Sequence, residues 1–485
     1  MSKYIIKKLY QVSAFLFLLL ISYSCQSKEQ PDKPSTPQGP ASGQAGIAYD
    51  FTANAIDPSE DSISIQFDWG DGNLSHWSPY KKSGQNITLS YIWSRSGTYQ
   101  IRAMAKNKRE AFSELSSAHT VSISSSESWT KTFGGTNDER GYSIKQTVDG
   151  GYIIAGTYSQ FDAYDVYLAK TDGLGNLQWS KVFTRAGWDE GHSVQLTTDG
   201  GYIIAGYASG NLYLLKTDGA GNLVWEKTFD TGYSECGYEV QPTTDGGYIM
   251  VGTIMRTWSN LAICLIKTDG NGILVWQKII EGSNNKVKAF SVKPTTDGGY
   301  IIAGEALIAG YDDDIKLIKT DGQGSILWEK TFGSTDCDDF AWSIIQTNDG
   351  GYAVTGQMDD LMCLIKTDNA GNSIWQKKFN IGDEGNNGSV GWSVQQTRDG
   401  GYLIAGRSNE FECLMLVKTD ADGNLVSLLP IGGYSTNTEN DDEHGAAIQT
   451  TDGGYAFVCW TSAFSDDEDD DVYLIKIGAT GKMVK

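Results

Sequence analysis

Apolar and polar residues alternate in short runs along most of the chain beyond residue 43, and Gly, Asn and Asp break the runs at close intervals. A period of two between such punctuation predicts half-buried antiparallel strands rather than helices. From residue 129 onward the pattern repeats itself: an S-V-Q-x-T run, a D-G-G turn, a Y-I-I-A-G run, a variable stretch, an L-I-K-T-D run, a D-G-x-G-N turn and an L-x-W-x-K-x-F run. D-G-G-Y begins at Asp149, Asp199, Asp245, Asp297, Asp349, Asp399 and Asp452, about once in fifty residues. Four strands per copy and seven copies predict an all-β fold built on a seven-bladed propeller over 129–485.

Closure of the ring follows from where the outer strand is missing. Trp179, Trp225, Trp276, Trp328 and Trp375 stand at the same place in the outer strands of the first five copies, Ser427 takes that place in the sixth, and in the seventh the chain has reached Lys485. The surplus copy is at the other end, Trp129 to Phe133, with no unit of its own. A strand from the N-terminal side therefore completes the last blade and leaves no open sheet edge.

What precedes the repeats reads as an address, a spacer and a small domain. Residues 1–24 put Lys3, Lys7 and Lys8 ahead of a short apolar run, the layout of a secretory signal peptide. The run ends at I-S-Y-S-C, which resembles the lipobox of bacterial lipoproteins and implies lipidation of Cys25, a membrane anchor and export to the cell envelope, with a surface-exposed position expected. Ordinary cleavage after Ser24 is the alternative. The Ser, Pro and Gln-rich stretch over 25–43 is expected to be a tether. From 44 to 124, runs such as S-I-S-I-Q-F-D-W predict a small β-sandwich. Its residues 67–72 (F-D-W-G-D-G) and 91–101 (Y-I-W-S-R-S-G-T-Y-Q-I) resemble a PKD domain, which implies spacing or non-catalytic binding; Trp69 and Trp93 are expected in its core, with Asp68 and Asp71 capping the turn.

The segment K-T-D-G-L-G-N-L-Q-W at 170–179 resembles the tryptophan-docking repeat of quinoprotein-type propellers, and the repeats are similar to exported bacterial and archaeal D-G-G-Y-I-I-A-G proteins. The resemblance implies that Trp129, Trp179, Trp225, Trp276, Trp328 and Trp375 join adjacent blades. The shared fold is inferred and not shared catalysis, because the cofactor-side adjacent cysteines and the eighth blade of quinoprotein dehydrogenases have no counterpart. Gly156, Gly206, Gly252, Gly304, Gly356 and Gly406, each seven residues after a D-G-G-Y aspartate, mark a close approach of strands. The aspartates of both turns are expected to be Asx-type turn formers rather than calcium ligands, although calcium is kept as the one cofactor to consider.

Composition narrows the function. The chain has 485 residues, 57 glycines, 9 prolines and a formal net charge of −22, the wrong sign for neutralising phosphates, so nucleic acid is excluded as a partner. Cys236, Cys264, Cys337, Cys363, Cys413 and Cys459 show no paired spacing and read as mostly buried small residues. Acidic runs at 312–314, 338–339, 440–443 and 465–471 fall in the loops of variable length and read as a solvated acidic face. Seven residues before the D-G-G-Y aspartates stand Tyr142, His192, Tyr238, Phe290, Trp342 and Trp392, with Gly445 in the seventh copy; such a ring either packs between blades or stacks on sugar faces. These features lead to a monomeric, non-catalytic surface lipoprotein for binding or adhesion to extracellular polysaccharide or protein. Two rivals are a carbohydrate-active lyase or hydrolase, with Arg140, Asp189, His192, Asp339 and Trp342 converging over the funnel, and a purely structural scaffold.

Overall fold

The computed structural model describes residues 30–478 apart from 94, 125–127, 161–162, 283, 285, 308–312, 334–336, 382–387, 409–412, 432–444 and 462–468. The signal peptide, Cys25, His444 and much of the acidic runs lie outside the described residues. Two compact units divide the chain, one of residues up to 124 without 44–47 and 92–95, the other of those two segments and 125 onward.

In the first unit, strands Ser42–Gln44, His119–Ser124, Gly97–Asn107 and Ile63–Asp68 form one sheet, and Ala48–Ala53 pairs with Ile87–Ile92. Alternation along Ile63–Asp68 buries Ile63, Ile65 and Phe67, and Trp69 stacks between Phe67 and Tyr91 with centroids 5.1 and 4.6 Å away. Asp68 and Asp71 accept the N–H groups of Gly70 and Asn73 at 2.9 and 3.0 Å, the Asx geometry of a turn. The tether expected over 25–43 needs correction in its described part. Asp32, Ser35 and Gln38 donate backbone hydrogen bonds to Ile56, Asn54 and Thr52, so this Pro-rich stretch runs along a strand as an edge of the sandwich. Proline is tolerated there because an edge leaves one row of backbone groups unpaired.

The second unit is a seven-bladed propeller. Blade one consists of Asp138–Gln146, Tyr152–Gln160, Ala163–Thr171 and Leu177–Phe183 in antiparallel order from the channel outward, and the next five blades repeat it. The seventh sheet is Ala446–Gln449, Tyr455–Thr461, Asp471–Ile477 and then Trp129–Phe133, with Trp129 opposite Lys476 and Phe133 opposite Val472. The N-terminal strand thus latches the ring.

Each repeated residue has a mechanical cause. The second and third strands of each blade are apolar on both faces because they lie between neighbouring blades. Trp129 lies over Gly175 of blade one, and Trp179 over Gly221 of blade two; the outer-strand tryptophan of one blade docks on the D-G-x-G turn of the next. Asp172 holds that turn by accepting from Leu174 N and Asn176 N, both at 2.9 Å. The W-x-K lysines reach the same turn, as Lys330 donates to Asn372 at 3.0 Å and Lys377 to Asn424 at 3.1 Å. The D-G-G-Y aspartate does more than form its turn. Asp149 accepts from Gly151 N and pairs with the Lys170 ammonium of the K-T-D run at 2.9 Å, and the pair recurs in all seven blades through to Asp452 and Lys476.

Candidate functional site

The inner strands carry the site, and a β-bulge in each of the first six sets its geometry. Pairing slips between Gly141 and Ser143, and likewise at His192, Tyr238, Phe290, Trp342 and Trp392, so each ring aromatic is the extra residue of its bulge. A bulge re-aims a side chain and crowds the partner strand. A Cβ on Gly156 would stand 1.7 Å from the carbonyl oxygen of Arg140, which is the close approach expected from the recurring glycine.

The re-aimed residues meet in the central channel, which encloses a cavity of about 440 Å³, within the range of small-molecule pockets. Neighbouring ring centroids are 5.9 Å apart for Tyr142 and His192, 5.8 Å for His192 and Tyr238, 5.0 Å for Tyr238 and Phe290, and 4.2 Å for Phe290 and Trp342. The result is an aromatic collar spanning blades one to five. Phe290 and Trp392 are buried, and Trp392 belongs to the packed core between blades six and seven; Tyr142, His192, Tyr238 and Trp342 stay half-buried with faces on the cavity. Packing and access are therefore divided among the six positions.

One residue further along, a serine ties blades one, two, four, five and six each to the next. Ser143 accepts from Val194 N at 3.1 Å, and Ser193, Ser291, Ser343 and Ser393 repeat the bond. Blade three has Glu239 instead. Its Oε2 takes over the staple, accepting from Val292 N at 2.9 Å and Ser291 Oγ at 2.7 Å, while Oε1 accepts from Gln241 at 2.7 Å and from the Lys293 ammonium. Burial works against the Glu239 charge, but Lys293 and these donors outweigh it and hold its pKa below the usual range. Both carboxylate oxygens are thereby engaged.

Lys145 lines the same floor and has no hydrogen-bond or ion-pair partner among the described residues. Burial, and then the like charge of Lys293, press its pKa down to about 8 against the opposing pull of Glu239. The floor of an acidic protein thus holds an ammonium that no described carboxylate contacts directly, a feature that reading the repeats for the aromatic ring alone did not bring out. Aligning the copies would have exposed it, since the position four residues before the aspartate holds Lys145 and Lys293 among Gln195, Gln241, Gln395, Ile345 and Ile448.

The other expectations fare differently. Of the five residues expected to converge over the funnel, only His192 and Trp342 line the cavity. Arg140 pairs with Asp470 at 2.9 Å and stacks on Trp460 at 4.7 Å, while Asp189, the first residue of its strand, and Asp339, just before the strand Phe340–Gln346, are wholly buried. Of the acids expected on a solvated face, Asp338 is exposed and Asp314, Asp469 and Asp471 are half-buried, but three others depart from that expectation. Asp313, Asp339 and Asp470 are buried, Asp313 pairing with Lys286 and Asp339 accepting from Asp359 N at 2.8 Å, because these acids satisfy loop backbone and cations at the blade ends. The cysteines divide as well: Cys264, Cys363 and Cys459 are buried, but Cys236 and Cys337 are half-buried. Among the described residues, no group of three or more His, Cys, Asp or Glu is arranged to hold a metal ion.

No family model and no curated protein matches this chain. Among solved structures it is similar to the PKD domain of a peptidase from a Thermoplasmatales archaeon, 31% identical over 20% of this chain and 98% of that one, with a TM-score of 0.19. It is similar to a puromycin hydrolase, 12% identical over 71% of this chain and 53% of that one, TM-score 0.47, and to the GH43_1 enzyme of Xanthomonas citri complexed with xylotriose, 10% identical over 53% and 91%, TM-score 0.32. Strand order and blade count define the architecture here: a PKD-like sandwich and a seven-bladed propeller in one chain.

Proposed function

We propose that this is an exported envelope lipoprotein, anchored through Cys25, whose monomeric propeller binds an extracellular saccharide in its central channel without cleaving its glycosidic bonds. The observation that carries the reading is the half-buried aromatic collar above the unpartnered Lys145 in a 440 Å³ cavity. Aromatic faces suit the C–H faces of sugar rings, and an ammonium with no carboxylate in direct contact suits a carboxylate or sulfate substituent, so the ligand is an acidic polysaccharide segment. The channel is preferred to the acidic rim as the contact surface, because Asp313, Asp339 and Asp470 of the rim are buried and paired within the fold. A scaffold with no ligand gains nothing from leaving a lysine unpaired in a cavity, which weighs against that rival.

The test is thermal melting of the protein against oligouronates and neutral oligosaccharides of equal length, with and without calcium, followed by product analysis. A ligand that binds the folded state raises the melting temperature. A shift with the oligouronate, smaller or absent with the neutral sugar and without cleavage products, supports the reading; shifts with neither overturn it, and cleaved product replaces binding by catalysis.

A further inference from the structure

Blades two and three bring three chemistry-bearing side chains together on one side of the channel wall. Glu190 and Cys236 occupy the same repeat position, nine residues before their D-G-G-Y aspartates, on adjacent inner strands, and His192 is the bulged residue two places after Glu190. His192 Nδ1 stands 3.8 Å from Cys236 Sγ, and Nε2 stands 2.8 Å from Glu190 Oε2. All three line the cavity and are half-buried. With Glu190 accepting the Nε2 proton, the ring presents the unprotonated Nδ1 to the thiol. This order of nucleophile, base and orienting carboxylate is the arrangement by which thiols are activated.

The remaining described thiols show what is particular to this one. Burial pushes Cys264 and Cys363 up to about 12, where they stay protonated and inert. Cys337 is half-buried like Cys236, but its sulfur faces the Asp360 carboxylate at 3.8 Å, a far weaker base than an imidazole. At Cys236 the neighbour is an imidazole. Burial opposes a charged His192, yet Cys236 and Glu190 outweigh it and hold its pKa well above the usual value. A ring with that affinity can keep the proton it takes. Tyr142 and Tyr238 flank it on either side and Tyr207 lies close to Glu190 and Cys236, so the groups around the imidazole are phenols, the thiol and one carboxylate.

We infer that Cys236 is a nucleophile toward carboxylic esters presented in the channel, with His192 as its base and Glu190 as the residue that positions the ring. His192 Nδ1 takes the thiol proton as sulfur attacks the ester carbonyl. The S–C bond forms, the C–O bond to the alcohol breaks, and the departing alkoxide takes the proton from the imidazolium, leaving an acyl thioester. Water then attacks the thioester, giving its proton to His192; the acid leaves and the proton returns to sulfur. The sum is ester plus water to acid plus alcohol. This inference goes beyond saccharide binding and does not depend on it.

The experiment is mass-mapped alkylation of the whole protein by iodoacetamide, together with p-nitrophenyl acetate as the ester probe. Cys236 is expected to alkylate about tenfold faster than Cys337 at pH 7 and to carry the acetyl group after the ester is added. His192→Gln is expected to bring its rate to that of Cys337, Glu190→Gln to shift the pH profile at an unchanged melting temperature, and Cys236→Ser to abolish the acetyl adduct. If His192→Gln fails to fold, the relative alkylation rates of Cys236 and Cys337 and the site of acetylation in the wild type decide. Equal rates at Cys236 and Cys337, or acetylation elsewhere, overturn the proposal.

Discussion

Trp129 lies so close over Gly175 that a Cβ on the glycine would stand 2.3 Å from the indole, and this contact joins the seventh blade to the first. Gly175 also has φ +77, which side chains seldom adopt, so both the space and the backbone exclude anything larger. The same indole is 6.1 Å from Tyr152 of blade one. The strand 129–133 runs on into blade one, but it meets Asp471–Ile477 of blade seven through strand pairing and side-chain contacts alone, without the short turn that joins third and outer strands in the other blades.

Trp129→Ala is therefore expected to cost more than Trp179→Ala, on the order of 3 kcal/mol against roughly 1–2 kcal/mol. Hydrogen exchange supplies the second readout: protection in Asp471–Ile477 should fall in the first variant and hold in the second, because the strand 129–133 is its only outer neighbour. Equal losses in both would mean that the latch is no weaker than any other junction.

Glu139 makes stability depend on pH near neutrality. Burial first, and then the charges of Asp471, Asp138 and Asp469, raise its pKa to about 7 against a hydrogen bond from Gly135 N. A raised folded-state pKa means that the native state holds the proton more tightly than the unfolded chain, so this contribution is full below about 4.5 and is lost as pH rises to about 7. Glu139→Gln keeps the acceptor for Gly135 and removes the titration. The variant should melt at nearly the same temperature at pH 5 and above the wild type at pH 8, a gap on the order of 2–3 kcal/mol at most.

Lys145 has the opposite sign. Its folded-state pKa of about 8 lies below the unfolded value, so the native state disfavours the proton, and this group's contribution to stability improves as pH rises from about 8 to about 10.5. Lys145→Met keeps the stem and removes the charge, so it is expected to raise the melting temperature at pH 7 while losing the shift produced by an oligouronate. A variant that is more stable and binds less is the usual sign of a residue kept for its ligand. A less stable Lys145→Met protein would instead place Lys145 among the structural residues.

The architecture was legible because each blade repeats the same packing problem. D-G-G-Y, the K-T-D run and the W-x-K-x-F strand recur wherever one blade meets the next, and the missing outer strand of blade seven pointed to Trp129–Phe133. The chemistry of the channel was harder to see for two reasons. Lys145, Glu239 and Cys236 are departures from the consensus, and a repeat is read for what recurs. In addition, a strict period of two puts residues nine, seven, five and three before the aspartate on one face, whereas the bulge at the seventh resets the alternation. Glu239 and Lys293, six and four before their aspartates, thereby join Cys236 and Tyr238 on the channel wall. The ion pair between Asp149 and Lys170 was hidden for a different reason: a turn aspartate next to glycine already had a sufficient local explanation.

Trp342 and Trp392 give the sharpest separation of packing from binding, because the repeat makes them equivalent and the structure does not. Trp392 is 7% exposed, sits in the core shared by blades six and seven, and leans toward Gly445, whose missing side chain makes room for it. Trp342 keeps a face on the cavity, packs on Phe290, 4.2 Å away, and lies half-buried against the margin of that same core. Trp392→Ala should accordingly cost about 3–5 kcal/mol, the loss typical of a buried tryptophan, with ligand response reduced only as far as the fold is. Trp342→Ala should cost less than half as much and yet abolish the melting shift with the oligouronate. Denaturant unfolding gives the first quantity and ligand melts the second. If both variants lose stability equally and Trp342→Ala still binds, the collar is inter-blade packing and the ligand site lies elsewhere.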